Sequence, residues 1–186
     1  MAAPSTGPAR CTVKPFGMTV LVTPRLSLDH ITLDDAEFIC RLLNEPSFLR
    51  YNGDRGVRTT EDARHYITNG PLDSYARFGF GLYLARRRED GVPAGICGVL
   101  RRPALDNPDL GYALVPECWR LGYAREAATA VLAHARDDLH LTRLSAIVSP
   151  DNLPSIALLE SLGFHLGETR SLSPDASPVH VYGTTL

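Results

Sequence analysis

Apolar and polar residues alternate through Leu26-Ser27-Leu28-Asp29-His30-Ile31, which predicts a strand. The apolar spacing then lengthens. Ala36, Ile39, Cys40, Leu42 and Leu43 fall on one face of a helix that Thr32 or Asp34 can cap and Asn44-Glu45-Pro46 ends. Residues 46–59 read as irregular, with Gly53 and Gly56 close together. A short helix over 61–67 follows Thr60 and stops at Asn69-Gly70-Pro71. Residues 78–86 and 94–100 predict two strands, with Asp90-Gly91 as the hairpin signal between them. Asp106-Asn107-Pro108 turns the chain into a strand over 109–115. A helix from 123 to about 139 lines up Ala127, Val131, Ala135 and Leu139 on one stripe. Residues 144–148 are strand-like, 152–164 are helical, and the tail from 168 predicts a final strand or a hairpin around Ser173-Pro174-Asp175-Ala176. The order β-α-α-β-β-β-α-β-α-β describes a mixed α/β domain, with helices covering a mostly antiparallel sheet.

Composition narrows the class. A chain of 186 residues fits one domain, placed at 20–186 behind a flexible extension over 1–19 that is rich in Ala, Pro, Ser and Gly. Met18, just ahead of the patterned region, is a candidate natural start. A net charge of -2 gives no basic footprint for nucleic acid. No apolar run is long enough to span a bilayer, and the first residues lack a signal-type apolar segment, so a cytoplasmic location is expected. Cys11, Cys40, Cys97 and Cys118 form no Cys-x-x-Cys pair and have no His at zinc-ligand spacing, so they read as free thiols and no metal is expected.

The segment Trp119-Arg120-Leu121-Gly122-Tyr123-Ala124-Arg125-Glu126-Ala127 changes the picture most. It joins a strand to an Ala-rich helix through a turn nearly free of side chains. The first N–H groups of a helix lack intrahelical partners and lie at the positive end of its dipole, so such a turn attracts phosphate. Arg120 and Arg125 add charge beside it. Neither a nucleoside-triphosphate loop nor a dinucleotide Gly-x-Gly-x-x-Gly is present.

This segment resembles the acyl-CoA pyrophosphate loop of the GNAT N-acetyltransferases, Gln/Arg-x-x-Gly-x-Gly/Ala. It is most similar to the branch that acetylates ribosomal-protein N-termini. Trp119 stands in the Gln/Arg slot, as is usual in that branch, whereas Arg120 replaces the branch's Gly. Asn152-Leu153-Pro154-Ser155-Ile156-Ala157-Leu158-Leu159-Glu160-Ser161-Leu162-Gly163-Phe164 resembles the family's later helix, and Pro24-Arg25-Leu26 its Thr-x-Arg-Leu opening. The resemblance implies the GNAT fold and acetyl-CoA as co-substrate. It implies a cofactor site made by the main chain of Leu114 and Val115, by Arg120, Leu121, Gly122, Tyr123, Ala124 and Arg125, and by Asn152 and Ser155. Asn152 is equally a helix cap, and Tyr123 a packing aromatic.

Acyl transfer to an amine needs a neutral amine, a donor for the thioester oxygen and a proton for the leaving thiolate. Many family members place a Tyr proton donor where this chain has Leu159; Ser155, one turn earlier, is the candidate here. Asp109, opening the central strand and facing the acceptor cleft through water, is the candidate base, with Asp54 bordering the acceptor. Glu126 would repel a phosphate and is expected to point elsewhere. Neutralising an α-amine of pKa ~8 at pH 7 costs about 1.4 kcal/mol, against roughly 4.6 for a Lys ammonium, so a site without a strong base suits a weakly basic amine. The expected partners are therefore acyl-CoA and a peptide N-terminus or small amine, in a monomer or homodimer. A CoA-binding module without turnover and a small-molecule detoxifying acetyltransferase are the alternatives.

Overall fold

The computed structural model describes residues 17–173 and 176–186. Residues 1–16, most of the expected extension, and Pro174-Asp175 of the expected tail turn lie outside the described residues. Eight strands form one sheet in the order β1-β2-β3-β4-β5-β6-β8-β7. They are β1 (Thr19–Val22), β2 (Leu26–His30), β3 (Leu82–Arg87), β4 (Pro93–Leu100), β5 (Asp109–Leu114), β6 (Arg143–Val148), β7 (His165–Arg170) and β8 (Val179–Thr185). All neighbours pair antiparallel except β5 and β6, which run parallel. The sheet thus has the mixed, mostly antiparallel character expected. β1 is an addition, a four-residue edge strand at the very start of the expected domain, and the tail supplies a hairpin of two strands.

The helices are α1 (Ala36–Leu43), α2 (Pro46–Asn52), α3 (Thr60–Ile67), α4 (Asp73–Phe78), α5 (Tyr123–Asp137) and α6 (Leu153–Ser161). Two departures from expectation involve proline. Pro46 ends α1 but also opens α2, because a missing N–H costs nothing at the first helical position. Asn69-Gly70-Pro71 does not stop α3. The chain widens into a five-residue turn, Thr68–Leu72, and continues as α4, so Phe78 is helical rather than the start of a strand. Widening relieves the clash between the Pro71 ring and the carbonyl four residues back.

Strand pairing fixes which side chains share a face. Tyr83, Cys97 and Tyr112 stand opposite one another across β3, β4 and β5. On that face Tyr83 meets His134 of α5 and Tyr112 meets Ser155 of α6. The other face carries Leu82, Leu100, Asp109 and Gly111, and Tyr66 of α3 lies with Leu82 and Leu100 around a common cavity. Leu26, Leu28, Ile39, Leu42, Leu84, Val99, Val131, Leu144 and Phe164 are all buried in a continuous core. The entry to α1 is pinned by charge. Asp35 accepts from the Thr32 N–H (2.8 Å) and hydroxyl (3.0 Å) and pairs with buried Arg86, which also reaches Asp29.

Candidate functional site

The sheet opens at its centre. β5 and β6 pair only at Asp109 and Ser145, and the Ser145 N–H donates to the Pro108 carbonyl (2.9 Å). Beyond that point the strands diverge. Val115 donates its N–H to the Ala94 carbonyl (3.0 Å). By the alternation of an antiparallel ladder, Tyr112 and Leu114 therefore turn their main-chain groups away from β4 and into the gap. Counted from Ser145, Ile147 does the same from β6. The Trp119 indole N–H donates to the Leu114 carbonyl (2.8 Å), leaving the Leu114 N–H facing the opening. Val115, expected to share this role, is corrected: its carbonyl accepts from the Cys118 N–H (2.9 Å), so its main chain is committed to the fold.

At the mouth of the gap the loop turns on two left-handed residues, Arg120 (φ 59°) and Gly122 (φ 80°). Gly122 caps α5 with no side-chain hydrogen bond, and the Glu126 N–H is the first to find a helical carbonyl, that of Gly122 (3.0 Å). The N–H groups of Tyr123, Ala124 and Arg125 therefore open the helix uncapped. The side chains of Arg120, Leu121 and Arg125 are exposed, and that of Tyr123 is buried, in keeping with packing.

Glu126 does point elsewhere. It accepts from the Thr23 hydroxyl (2.6 Å), the Arg25 N–H (2.8 Å) and Arg25 Nε (2.6 Å). Burial opposes its ionisation, but these bonds together hold its carboxyl below the ordinary value. Arg25 also donates through Nη1 to the Leu121 carbonyl (2.7 Å) and lies 4.7 Å over the Tyr123 ring. Sequence reasoning places Thr23-Pro24-Arg25 only at the start of the patterned region. Its contact with the loop comes from the β1–β2 turn folding back against α5.

Across the gap, the Asn152 Oδ1 caps α6 by accepting from the Ser155 N–H (3.3 Å), which leaves the amide N–H groups of Asn152 to donate. The Ser155 hydroxyl is 2.9 Å from the Tyr112 hydroxyl. Burial pushes Tyr112 up to about 12, against the opposing bond to Ser155, so its phenol keeps its proton at neutral pH. Tyr112 is the residue sequence reasoning missed; its only signal was alternation with Leu110 and Leu114. Leu159 is buried in the core, 2% exposed.

The acidic candidates do not fit their expected places. Asp109 is fully buried, 0% exposed, so it does not face a cleft. Burial raises its carboxyl, and Arg102, whose Nε donates to it at 2.8 Å, pulls the other way. Asp54 is held down to about 2 by Arg58 and by the Gly56 N–H, which makes it a structural turn carboxylate and a poor base. Among the described residues no group of three or more His, Cys, Asp and Glu is placed to hold a metal, and no helix is long and apolar enough to cross a membrane.

The family model for the acetyltransferase (GNAT) domain matches residues 25–165. The "uncharacterized N-acetyltransferase p20" of Bacillus licheniformis is 30% identical over 151 residues, 79% of this chain and 83% of the relative. An acetyltransferase from Agrobacterium tumefaciens str. C58 superposes with a TM-score of 0.73 at 26% identity, covering 92% of this chain and 96% of that one. A RimL ribosomal L7/L12 alpha-N-protein acetyltransferase in complex with coenzyme A shares the fold, with a TM-score of 0.77 at 18% identity over 91% of this chain and 98% of its own.

Proposed function

Because the chain belongs to the GNAT acetyltransferase family, we propose that it carries an acetyl group from acetyl-CoA directly to a primary amine, a peptide N-terminus or a small amine, in one ternary complex. The observation that carries this reading is the parting of β5 from β6 beside an uncapped helix start. The two features suit the two halves of one ligand. The N–H groups from Gly122 to Arg125 would hold a pyrophosphate, with Arg120 and Arg125 adding charge. Main-chain groups of Tyr112 and Leu114, with the Asn152 amide, would pair an extended pantetheine arm as an added strand does. We read residues 20–186 as one such domain, working in the cytoplasm.

The transfer forms an N–C bond and breaks a C–S bond. The amine must enter neutral; after attack its nitrogen sheds one proton to solvent, and the sulfur gains one. Ser155 is the donor to sulfur, recovering its proton from solvent, and the protonated Tyr112 hydroxyl fixes where the Ser155 oxygen sits. The Leu114 N–H, aimed into the gap, is the donor for the thioester oxygen. Asp109 acts through Arg102, which it orients, and the acceptor loses its proton to water.

Calorimetric titration with acetyl-CoA tests the reading, with ATP and NADH as controls. Selective micromolar binding that Gly122→Glu abolishes is expected. Equal affinity in that variant would refute the loop as the phosphate site.

A further inference from the structure

On the face of the sheet opposite α5 and α6 lies a cavity of about 500 Å³ between the α3–α4 segment and the chain after β4. Its walls include Tyr66, Phe78, Leu82, Leu100 and Leu105, all apolar or aromatic. Its polar lining is lopsided. Three guanidinium groups, Arg77, Arg101 and Arg102, meet one carboxylate, Asp73.

The pairing of these groups decides what the cavity takes. Arg77 is neutralised by Asp73 (3.1 Å) and Arg102 by buried Asp109 (2.8 Å). Arg101 donates to the Asp106 carbonyl (2.8 Å) and has no carboxylate partner among the described residues. Both Arg101 and Arg102 keep further N–H donors, since a guanidinium has five. Burial raises the Tyr66 phenol, while Arg55, outside the cavity, and Arg102 oppose the rise.

The cavity also lies against the strand that would present the thioester. A Cβ at Gly111 of β5 would fall 2.6 Å from the Leu100 side chain and 3.5 Å from that of Leu82, and both leucines line the cavity. Leu82 and Leu100 are thus at once walls of the cavity and the cover over Gly111 of β5.

We propose that the acceptor amine carries an anionic oxygen group, held in this cavity by Arg101 and Arg102. The inference rests on the acetyl-transfer reading and names its substrate class. An apolar floor suits the carbon skeleton of the acceptor, and the planar forks of Arg101 and Arg102 suit a carboxylate or phosphate. A purely cationic acceptor such as a polyamine is disfavoured by Arg101, whose charge has no carboxylate beside it among the described residues.

The test begins with full-length protein shown by calorimetry to bind acetyl-CoA; absence of that binding would remove the acetyl-transfer reading and this inference with it. Release of CoA is then measured with matched amines: β-alanine against its amide, phosphoethanolamine against ethanolamine, and, both as C-terminal amides, the dipeptides Asp-Ala against Asn-Ala. These arms separate carboxylate from phosphate and free amino acid from peptide. At least one anionic member is expected to exceed its neutral partner by about tenfold or more in kcat/KM. Arg101→Glu, at an exposed position, is expected to erase that preference while leaving acetyl-CoA affinity unchanged. Arg102→Gln is the second variant. Neutral members equal to or better than anionic ones, or a preference that survives Arg101→Glu, would each overturn the proposal; no turnover of any amine, anionic or neutral, by acetyl-CoA-binding protein would instead overturn the transfer reading and the proposal with it.

Discussion

Arg25 and Glu126, 101 residues apart in sequence, are joined by a 2.6 Å contact between Nε and Oε2. Arg25 meanwhile grips the Leu121 carbonyl on the other side of Gly122. One side chain thus fixes both flanks of the turn, and the uncapped N–H groups of α5 are aimed before any ligand arrives. Preorganisation of this kind lowers the ordering cost of binding.

Glu126→Gln should leave the fold intact and weaken acetyl-CoA binding. The Gln amide keeps one acceptor oxygen, but its NH2 cannot accept from Arg25 Nε, so the ion pair is lost. Arg25 is half exposed, so solvent screening holds the loss to about 1 kcal/mol, or roughly fivefold in Kd. Calorimetry on the two proteins measures it directly. An unchanged Kd would mean that the turn keeps its shape without the clamp.

The same carboxylate gives stability a pH signature. A Glu held below its ordinary value stabilises the fold above that ordinary value, and the contribution fades as pH falls through the lowered one. The Tm gap between wild type and Glu126→Gln should therefore be widest at neutral pH and close as pH falls below the ordinary Glu value of ~4.3. A gap that grows on acidification would contradict the assignment.

Gly122→Ala isolates backbone strain from charge. At φ 80° an added Cβ is disfavoured, and it would sit 3.2 Å from the Arg25 guanidinium. A loss of about 1 kcal/mol in stability is expected from denaturant unfolding. Acetyl-CoA affinity should fall by less than for Gly122→Glu.

Tyr112→Phe removes only the hydroxyl that meets Ser155. If Tyr112 fixes the position of the proton donor, kcat should fall by about tenfold while the KM for acetyl-CoA stays within about twofold. Ser155→Ala should lower kcat at least as far, and the double variant no further than Ser155→Ala alone. Additive losses would show that the two hydroxyls act separately.

Leu159→Tyr installs the hydroxyl many relatives carry. Leu159 is packed in the core, so the larger ring should cost about 1–3 kcal/mol by overpacking and bring no gain in rate. A faster enzyme would mean that this side chain reaches the gap after all.

The sequence was most readable where a local rule sufficed. Gly122 before an Ala-rich helix announces a left-handed turn into a helix start, and Asn152 three residues before Ser155 announces a cap; both depend on neighbours in the chain. It was least readable where the decisive partner is distant. Nothing near Tyr112 reveals Ser155, 43 residues on. Asp109 reads as an exposed strand opening, but its burial depends on Arg102 and on the layer of helices beyond it. Pro46 and Pro71 misled for another reason: proline breaks a helical bond without saying whether the chain stops, restarts or widens around it.

A slit in the middle of a sheet gives this protein four strand edges where an unbroken open sheet of the same size has two. Exposed edges recruit stray chains and seed aggregation. Here the inner edge on β5 is stopped at its open end: the Trp119 indole occupies the Leu114 carbonyl, and Pro116 brings no N–H. The opening is thereby a poor template for another protein's strand. Trp119→Ala should expose that liability as concentration-dependent association.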